Sequence, residues 1–421
     1  MAGGVALAPT RAPERLLRDG QFRRYLVART LSGAGGIVTL IALPILVYRT
    51  SGSAGLTALV AACEAAPYLL FGLFAGALTD RWNRKRVMVA ADALGALLVA
   101  SVPVADWLGV LTVTQVLVVA FLGPTVAVFF DGASFGAIPM LVGRERIGAA
   151  NAVTWGLQSG NEIVLPAVVG LALAVLHPST LLAFDAVTFA VSAVLIAGIT
   201  RATYDAGRQL PPLTPRQVGR DVREGLDFLV HHAGVRTMTL IGFLQCVGGG
   251  GFVALMVVWI DRRLGVGTEG LRFGLVYSGW AVGGLIAALA LPWLLRRWSA
   301  ARVALLAVPI SCAVGLVVPA ITQWWLAALA MTAWSVGYTM IAMNSISYRQ
   351  EVTPNHLLGR VNTAGRMLSW GVGWTGGAFL AGAVVDLLGL VPTLYVLAAT
   401  AVLSVVVAWS SPLRGGGVNS A

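Results

Sequence analysis

Glu64 and Glu162 are the residues of this chain best suited to chemistry, because each lies near the middle of a long apolar stretch. An acid at the centre of a membrane helix costs about 2.5–3.5 kcal/mol on insertion scales, so one kept there has a partner or a task. A carboxyl that meets one side of a membrane and then the other can take up a proton and release it, the minimum machinery of proton-coupled antiport. It also attracts cationic amphiphiles. The alternative role is structural, an acid hydrogen-bonded to a neighbouring helix. Glu162 has Asn161 beside it and Gln158 one turn before it, and Trp155 precedes both. Later apolar stretches carry neutral polar groups (Gln245, Asn344, Ser345) and tryptophans (Trp280, Trp334, Trp370, Trp374). A cavity walled by tryptophans, amides and one or two acids suits a bulky apolar solute better than a sugar or phosphate. Asn161, Gln158, Trp155, Gln245, Asn344 and Trp370 are the cavity candidates.

Other charges have blander expectations. Asp131 and Asp92 can be satisfied by water or a loop arginine, and Asp185 by a helix–helix hydrogen bond. Arg29 can snorkel to the interface or pair with Asp92 or Asp131. Cys63, Cys246 and Cys312 are too scattered for a metal motif or a disulfide framework, and the pair His231-His232 has no zinc spacing. No phosphate-cradling loop is present, so an ATP-driven pump is disfavoured and no cofactor or metal is expected.

The elements that position these residues follow from composition. With 57% hydrophobic and 11% charged residues among 421, the chain is not a water-soluble globule. Spanning the hydrocarbon of a bilayer takes about 20 apolar residues. Twelve such runs are expected, near 24–48, 55–78, 86–106, 111–134, 149–175, 179–200, 237–260, 270–295, 302–319, 322–347, 362–386 and 389–410. Of the 29 Lys and Arg, only Arg49, Arg262, Arg263 and Arg272 fall in loops on one side and Arg29 inside a span; all others fall on the opposite side. Positive residues mark the cytoplasmic side, so both termini are expected there, in the plasma membrane and without a cleaved signal. The net charge of +11 is then a topology signal at an anionic leaflet rather than a nucleic-acid surface.

Two landmarks recur. Arg81-Trp82-Asn83-Arg84-Lys85-Arg86-Val87 is echoed by Arg297-Trp298-Ser299-Ala300-Ala301-Arg302-Val303, and Ile147-Gly148-Ala149-Ala150-Asn151 by Leu358-Gly359-Arg360-Val361-Asn362. Nearly equal offsets argue for a duplicated six-helix unit. The resulting plan is all-α: a cytoplasmic arm (1–22), a six-helix bundle (23–200), a linker with an amphipathic helix on the cytoplasmic leaflet (201–236), a second bundle (237–410) and a tail (411–421). Gly72-x-x-x-Gly76 and Gly156-x-x-x-Gly160 read as close-packing faces, and Gly248 to Gly251, with Gly371, Gly373, Gly376 and Gly377, as thin-walled or bendable stretches.

Gly76-Ala77-Leu78-Thr79-Asp80-Arg81-Trp82-Asn83-Arg84-Lys85 resembles the signature loop of the major facilitator superfamily, with Asn83 where the pattern has glycine, an exchange explained by the tolerance of Asn for positive φ. Ala42 to Tyr48, Glu64 to Gly72, Asp185 to Phe189 and Glu224 to Leu229 resemble its drug and siderophore exporter branch. The resemblance implies twelve helices in two pseudo-symmetric six-helix bundles, a monomer, and a cytoplasmic gating loop of Gly76, Asp80, Arg81, Arg84 and Lys85 in which Asp80 is the latch. It implies export of a hydrophobic or amphiphilic small molecule, an antibiotic, drug or siderophore, by proton antiport. The same plan also serves uptake or facilitated diffusion of a metabolite, or a non-transporting scaffold or sensor. Three positions depart from the pattern. Leu165 replaces the glycine expected before Pro166, the fourth span lacks the arginine many proton-coupled exporters carry, and Arg296 stands where a second latch acid would be. If protons are carried, Glu162 and Glu64 are the candidates.

Overall fold

A computed structural model describes residues 16–79, 81–203, 215–354 and 357–415. Among these, twelve helical spans are long and apolar enough to cross a membrane. In hydrocarbon each backbone N–H and C=O must be satisfied within its own segment, and the helix is the solution for a chain of apolar runs. The first half comprises α1 (Gly20–Ser51), α2 (Ala54–Thr79), α3 (Arg84–Trp107), α4 (Val113–Val142), α5 (Ile147–Leu173) and α6 (Pro178–Ala197). After α7 (Pro215–His231), the second half comprises α8 (Ala233–Ala254) with the short α9 (Met256–Arg262), α10 (Gly270–Leu295), α11 (Ala300–Val317) and α12 (Trp324–Val352). It closes with α13 (Leu358–Arg366), which runs through a π-helical stretch, Met367–Trp374, into α14 (Thr375–Leu388), and with α15 (Leu390–Trp409). Helix–helix pairings repeat between halves: α1 with α6 as α8 with α15, α2 with α4 as α10 with α12, and α3 with α4 as α11 with α12.

Helices overshoot the apolar runs because polar residues at their ends supply caps. The Asp19 carboxylate accepts from the backbone N–H of Gln21 and Phe22 (3.0 and 3.4 Å), so α1 starts before residue 23 and takes in Arg23 and Arg24. Burial would raise the Asp19 carboxyl, but a 2.8 Å bond from Arg201 and the two backbone donors hold it below its usual range. Asn83 caps α3 by accepting from Arg86 N (3.2 Å), and Ser299 caps α11 by accepting from Arg302 N (3.4 Å). The repeated landmark is therefore a repeated helix start. Asn83 has φ −67°, an extended capping conformation, and the positive φ expected of a glycine substitute is not used.

Even alternation of the spans brings α15 back to the face where α1 begins, termed basal here; the other is distal. One apolar core joins both halves on the distal side, from Ile41 to Tyr48 of α1 through Phe252, Met256 and Trp259 to Leu394. Towards the basal face there are two separate cores: Phe22, Tyr25, Met88, Phe130 and Leu141 in the first half, and Met238, Ile341, Tyr348 and Val361 in the second. Helix α7 belongs to the latter. Leu229 is buried there, Glu224 pairs with Arg360 of α13, and Gly225 lies against the Arg360 carbonyl. Leu229, with Leu226 and Phe228 partly buried beside it, thus rests on protein, while Val230 is exposed.

Both halves meet along α2 with α14 and α5 with α10. At the second seam a Cβ on Gly274 would stand 2.3 Å from the Pro166 carbonyl oxygen, and one on Gly170 2.4 Å from the Gly270 carbonyl oxygen. The anticipated Gly72/Gly76 and Gly156/Gly160 pairs have open space where a Cβ would point, so neither is a packing face here. Gly248 to Gly251 are packed, against Leu397, Tyr338, Trp374 and Gly377, and let α14 and α15 approach α8 rather than thinning a wall. Gly274→Ala is expected to lower the thermal unfolding midpoint of the purified protein, with overpacking costing about 1–3 kcal/mol, because backbone cannot yield as a side chain can. Gly284→Ala, whose nearest contact would be an ordinary 3.6 Å, leaves the midpoint unchanged or higher.

Candidate functional site

Between the halves, α5 carries a stripe at helical spacing, Trp155, Gln158 and Glu162, that is exposed and runs from the basal side up to the α5–α10 crossing. Glu162 accepts a 3.2 Å hydrogen bond from Gln158 Nε2. Asn161, on the adjoining face, donates from Nδ2 to the Thr30 carbonyl of α1 (3.0 Å) and fixes α5 against α1. On the facing half Trp370, 52% exposed, stacks on Trp374 with ring centroids 6.2 Å apart. Glu64 is only 8% exposed on α2, takes no hydrogen bond from a described residue, and lies within electrostatic reach of Tyr277 on α10.

Two cavity candidates lie elsewhere. Gln245 is 3% exposed inside the second half, donating to Ser404 Oγ (2.9 Å) and Cys312 Sγ (3.1 Å) and accepting from Ser311 Oγ (3.2 Å). Asn344 is fully buried and donates to the Ala300 carbonyl (2.8 Å). The Gln245 amide and the Asn344 Nδ2 are spent on holding helices together, the usual use of polar side chains in a membrane bundle, while the buried Asn344 Oδ1 has no hydrogen-bond partner among the described residues. Gln245 does border a cavity of about 10 Å³, room for about one water, beside Ser345, Ser369 and Arg349.

Of the gating loop, Asp80 lies outside the described residues. A Cβ on Gly76 would meet open space and its carbonyl accepts from Thr79 Oγ1 (3.1 Å), while Lys85 Nζ donates to the Ile199 carbonyl (2.7 Å) and Arg84 Nη1 reaches the Thr203 carbonyl (3.5 Å). Arg81 and Arg84 have further contacts as well. Those basic side chains brace α3 against the chain that leaves α6.

The structure settles several polar contacts that the sequence leaves open or does not suggest. Arg29 of α1 pairs with Asp131 of α4 at 2.8 Å, with the guanidinium 5.4 Å from the Phe130 ring centre. Asp92 is anchored by Ser192 (2.5 Å) and Ser32 (3.5 Å), and Asp185 by Thr39 and Thr188, tying α3 and α6 to α1. On the distal face a strap crosses between halves. Tyr48 Oη donates to Asp261 Oδ2 (2.6 Å) and accepts from Arg262 Nε (2.9 Å), while Arg262 Nη2 reaches the Gly52 carbonyl (2.8 Å). Beside it Arg49 bonds Thr268 Oγ1 (2.8 Å) and Glu269 Oε2 (2.6 Å). A signal is available in the sequence, since Arg49 and Arg262 stand against the positive charge rule.

Residues 25–369 match the Major Facilitator Superfamily. The chain belongs to that superfamily. Within it, this carrier-fold protein is 30% identical over 399 residues to the multidrug efflux pump Tap of Mycolicibacterium fortuitum, covering 93% of this chain and 95% of that one. It is 28% identical over 218 residues to macrolide efflux protein A of Streptococcus pyogenes, covering 50% of this chain and 53% of the relative. Its likeness is therefore to the drug-exporter branch. A point mutant of the nucleoside transporter NupG shares the fold with a TM-score of 0.75 at 13% identity, covering 95% of this chain and all of that one. A bacterial homologue of the iron transporter ferroportin in an inward-facing state gives 0.72 at 16%, covering 93% and 98%.

The Arg29 and Asp131 side chains are 25% and 38% exposed, so unpairing them costs more than the roughly 1 kcal/mol of a surface pair and less than the roughly 3–5 kcal/mol of a buried one. Arg29→Met is expected to lower the unfolding midpoint in detergent, and Arg29→Met with Asp131→Leu to restore part of it. A double variant no better than the single would show that the pair does not hold α1 to α4.

Proposed function

We propose that this superfamily member exports a hydrophobic or amphiphilic small molecule, of the antibiotic, drug or siderophore kind, by proton antiport with alternating access. The observation that carries this reading is an acid on an exposed stripe between two halves that share a core on one side only: Glu162 sits on α5 below a sealed distal seam and above separate basal cores. The names of the relatives, a multidrug efflux pump and a macrolide efflux protein, support the substrate class.

In this reading the bundles at 23–200 and 237–410, joined by 201–236, rock about the shared midplane as a monomer. Positive charge orients the basal face and both termini to the cytoplasm, so the conformation described is inward-facing. The distal strap of Tyr48, Asp261 and Arg262 with Arg49 and Glu269 closes the outer side. Opening outward breaks it, and the basal loop then closes through Asp80, with Gly76, Arg81, Arg84 and Lys85 around it. Glu162 binds substrate and proton in turn. A proton neutralises it after the substrate leaves outward, and the return inward releases that proton to the cytoplasm. Glu64, at the α2 seam, is the second proton candidate. Trp155, Gln158, Asn161 and Trp370 give the solute aromatic faces and hydrogen-bonding groups.

Liposomes holding the protein and a trapped pH dye test this with a panel of lipophilic drugs and siderophores. Substrate-evoked proton flux opposite to the drug is expected, falling to the level of protein-free vesicles in Glu162→Gln while downhill exchange of drug persists. Drug movement without proton flux in the parent protein would replace antiport by facilitated diffusion. Asp80→Asn is expected to slow turnover in protein that still inserts, and unchanged turnover would remove the latch role.

A further inference from the structure

Arg349, near the basal end of α12, is a buried cation without a balancing charge. It is 3% exposed, and its guanidinium lies across α13, where a Cβ on Gly365 would stand 2.5 Å from Nη1. Nη1 reaches Thr239 Oγ1 over a long 3.5 Å, and the buried Nε has no hydrogen-bond partner among the described residues. Arg29 has Asp131, but no described acid pairs with Arg349. The charge within its electrostatic reach is a second cation, Arg366, which is exposed and likewise forms no ion pair with a described residue. A guanidinium cannot shed its proton to escape burial, and a buried charge left unbalanced is strongly destabilising. Arg349 lines the cavity of about 10 Å³ between α8, α12 and the π-helical stretch, and Trp370, one turn after Arg366 and exposed, forms its rim. Ser345 and Ser369, also in the lining, donate to the carbonyls of Met238 and Thr239 over 3.3 Å each. Hydroxyl bonds that long are weak and readily exchanged for a better acceptor.

We propose that this cavity is a binding site for a small monovalent anion, either a free halide or the carboxylate of an amphiphilic solute. The anion accepts from the Arg349 guanidinium and from Ser345 and Ser369, and it enters past Arg366 and Trp370. The volume sets the class of ligand. Space for about one water admits a halide or one carboxylate oxygen and excludes a tetrahedral phosphate or sulfate. A carboxylate bound there keeps the rest of its molecule at the rim, against the Trp370 ring. The inference stands apart from the direction and the coupling of transport.

The full chain in detergent is heated in sodium gluconate, whose anion is too large for the cavity, and in series where chloride or benzoate replaces gluconate at constant ionic strength. The unfolding midpoint is expected to rise and saturate, as for a ligand that binds the folded state. A response to chloride identifies a free halide, and a response to benzoate alone identifies a solute carboxylate. Arg349→Gln abolishes the response and Arg349→Lys keeps part of it. Arg366→Gln, at an exposed position that folding does not depend on, raises the half-saturating concentration about two- to fivefold, the worth of an exposed charge. Arg302→Gln, exposed elsewhere on the same face, changes nothing. In gluconate alone Arg349→Gln matches or exceeds the parent's midpoint, because it removes an unbalanced charge. An arginine that only braced α12 would lower the midpoint equally in every salt when replaced. That equal loss, no saturable response to either anion, or a response unchanged in both Arg349→Gln and Arg366→Gln would each overturn the proposal.

Discussion

Close approach of backbone to backbone at the α5–α10 crossing is the contact on which the two-half arrangement rests. Between helices in lipid there is no hydrophobic driving force, since the surrounding tails are as apolar as leucine, and association depends on packing and on hydrogen bonds. Gly170 and Gly274 remove the side chains that would hold α5 and α10 apart, and Gly55 and Gly382 do the same for α2 and α14. All four lie towards the distal ends of their helices. The shared core can therefore form only there, and the halves part towards the basal face.

Charge is distributed just as unevenly. The first half carries its acids in solved pairs: Asp131 with Arg29, Asp92 with two serines, Asp185 with two threonines. Glu162 stands apart from these on the open stripe, with Gln158 alone as its donor among the described residues, and Glu64 has no such donor. The second half holds a buried cation, Arg349, 3% exposed near the basal end of α12. It makes a single long bond to Thr239 (3.5 Å) and no ion pair with a described residue. Buried acids cluster in one bundle while the other holds amides and aromatics, so two similar backbones carry different electrostatic loads.

Much of the fold is legible in the sequence because span length and charge asymmetry are local and strong signals. The count of twelve follows from them, the repeat is visible in the echoed landmarks at 81–87 and 297–303, and the superfamily enters through the resemblance of the loop from Gly76 to Lys85. What local pattern does not convey is which faces meet. Glycines four apart at 72 and 76 have the spacing of a packing face, yet single glycines paired across a hundred residues do the packing. Asn83 has the residue type of a tolerated turn position and is a helix cap, a role its neighbour Arg86 discloses only once the backbone is drawn. Gln245 and Asn344 have apolar sequence neighbours that suggest an available amide, but the Gln245 amide and the Asn344 Nδ2 are bonded within one bundle and both side chains are buried there. The placement of Glu162 on one stripe with Trp155 and Gln158 can be read from helical spacing alone. The Arg29–Asp131 pair is one of two pairings that the sequence leaves open.

The distal strap joins charges that remain in contact with water: the Arg49 and Glu269 side chains are 26% and 49% exposed. At physiological ionic strength the screening length is about 8 Å, and it shortens to about 3 Å at 1 M salt. The apolar core directly beneath, with Trp259 and Leu255 fully buried, feels no such screening. The seal is thus composed of an ionic layer whose strength is set by the fluid outside it and an oily layer indifferent to that fluid. How readily the halves separate on that face is in part a property of the bathing medium, and the same polypeptide has a different resting balance in brine than in fresh water.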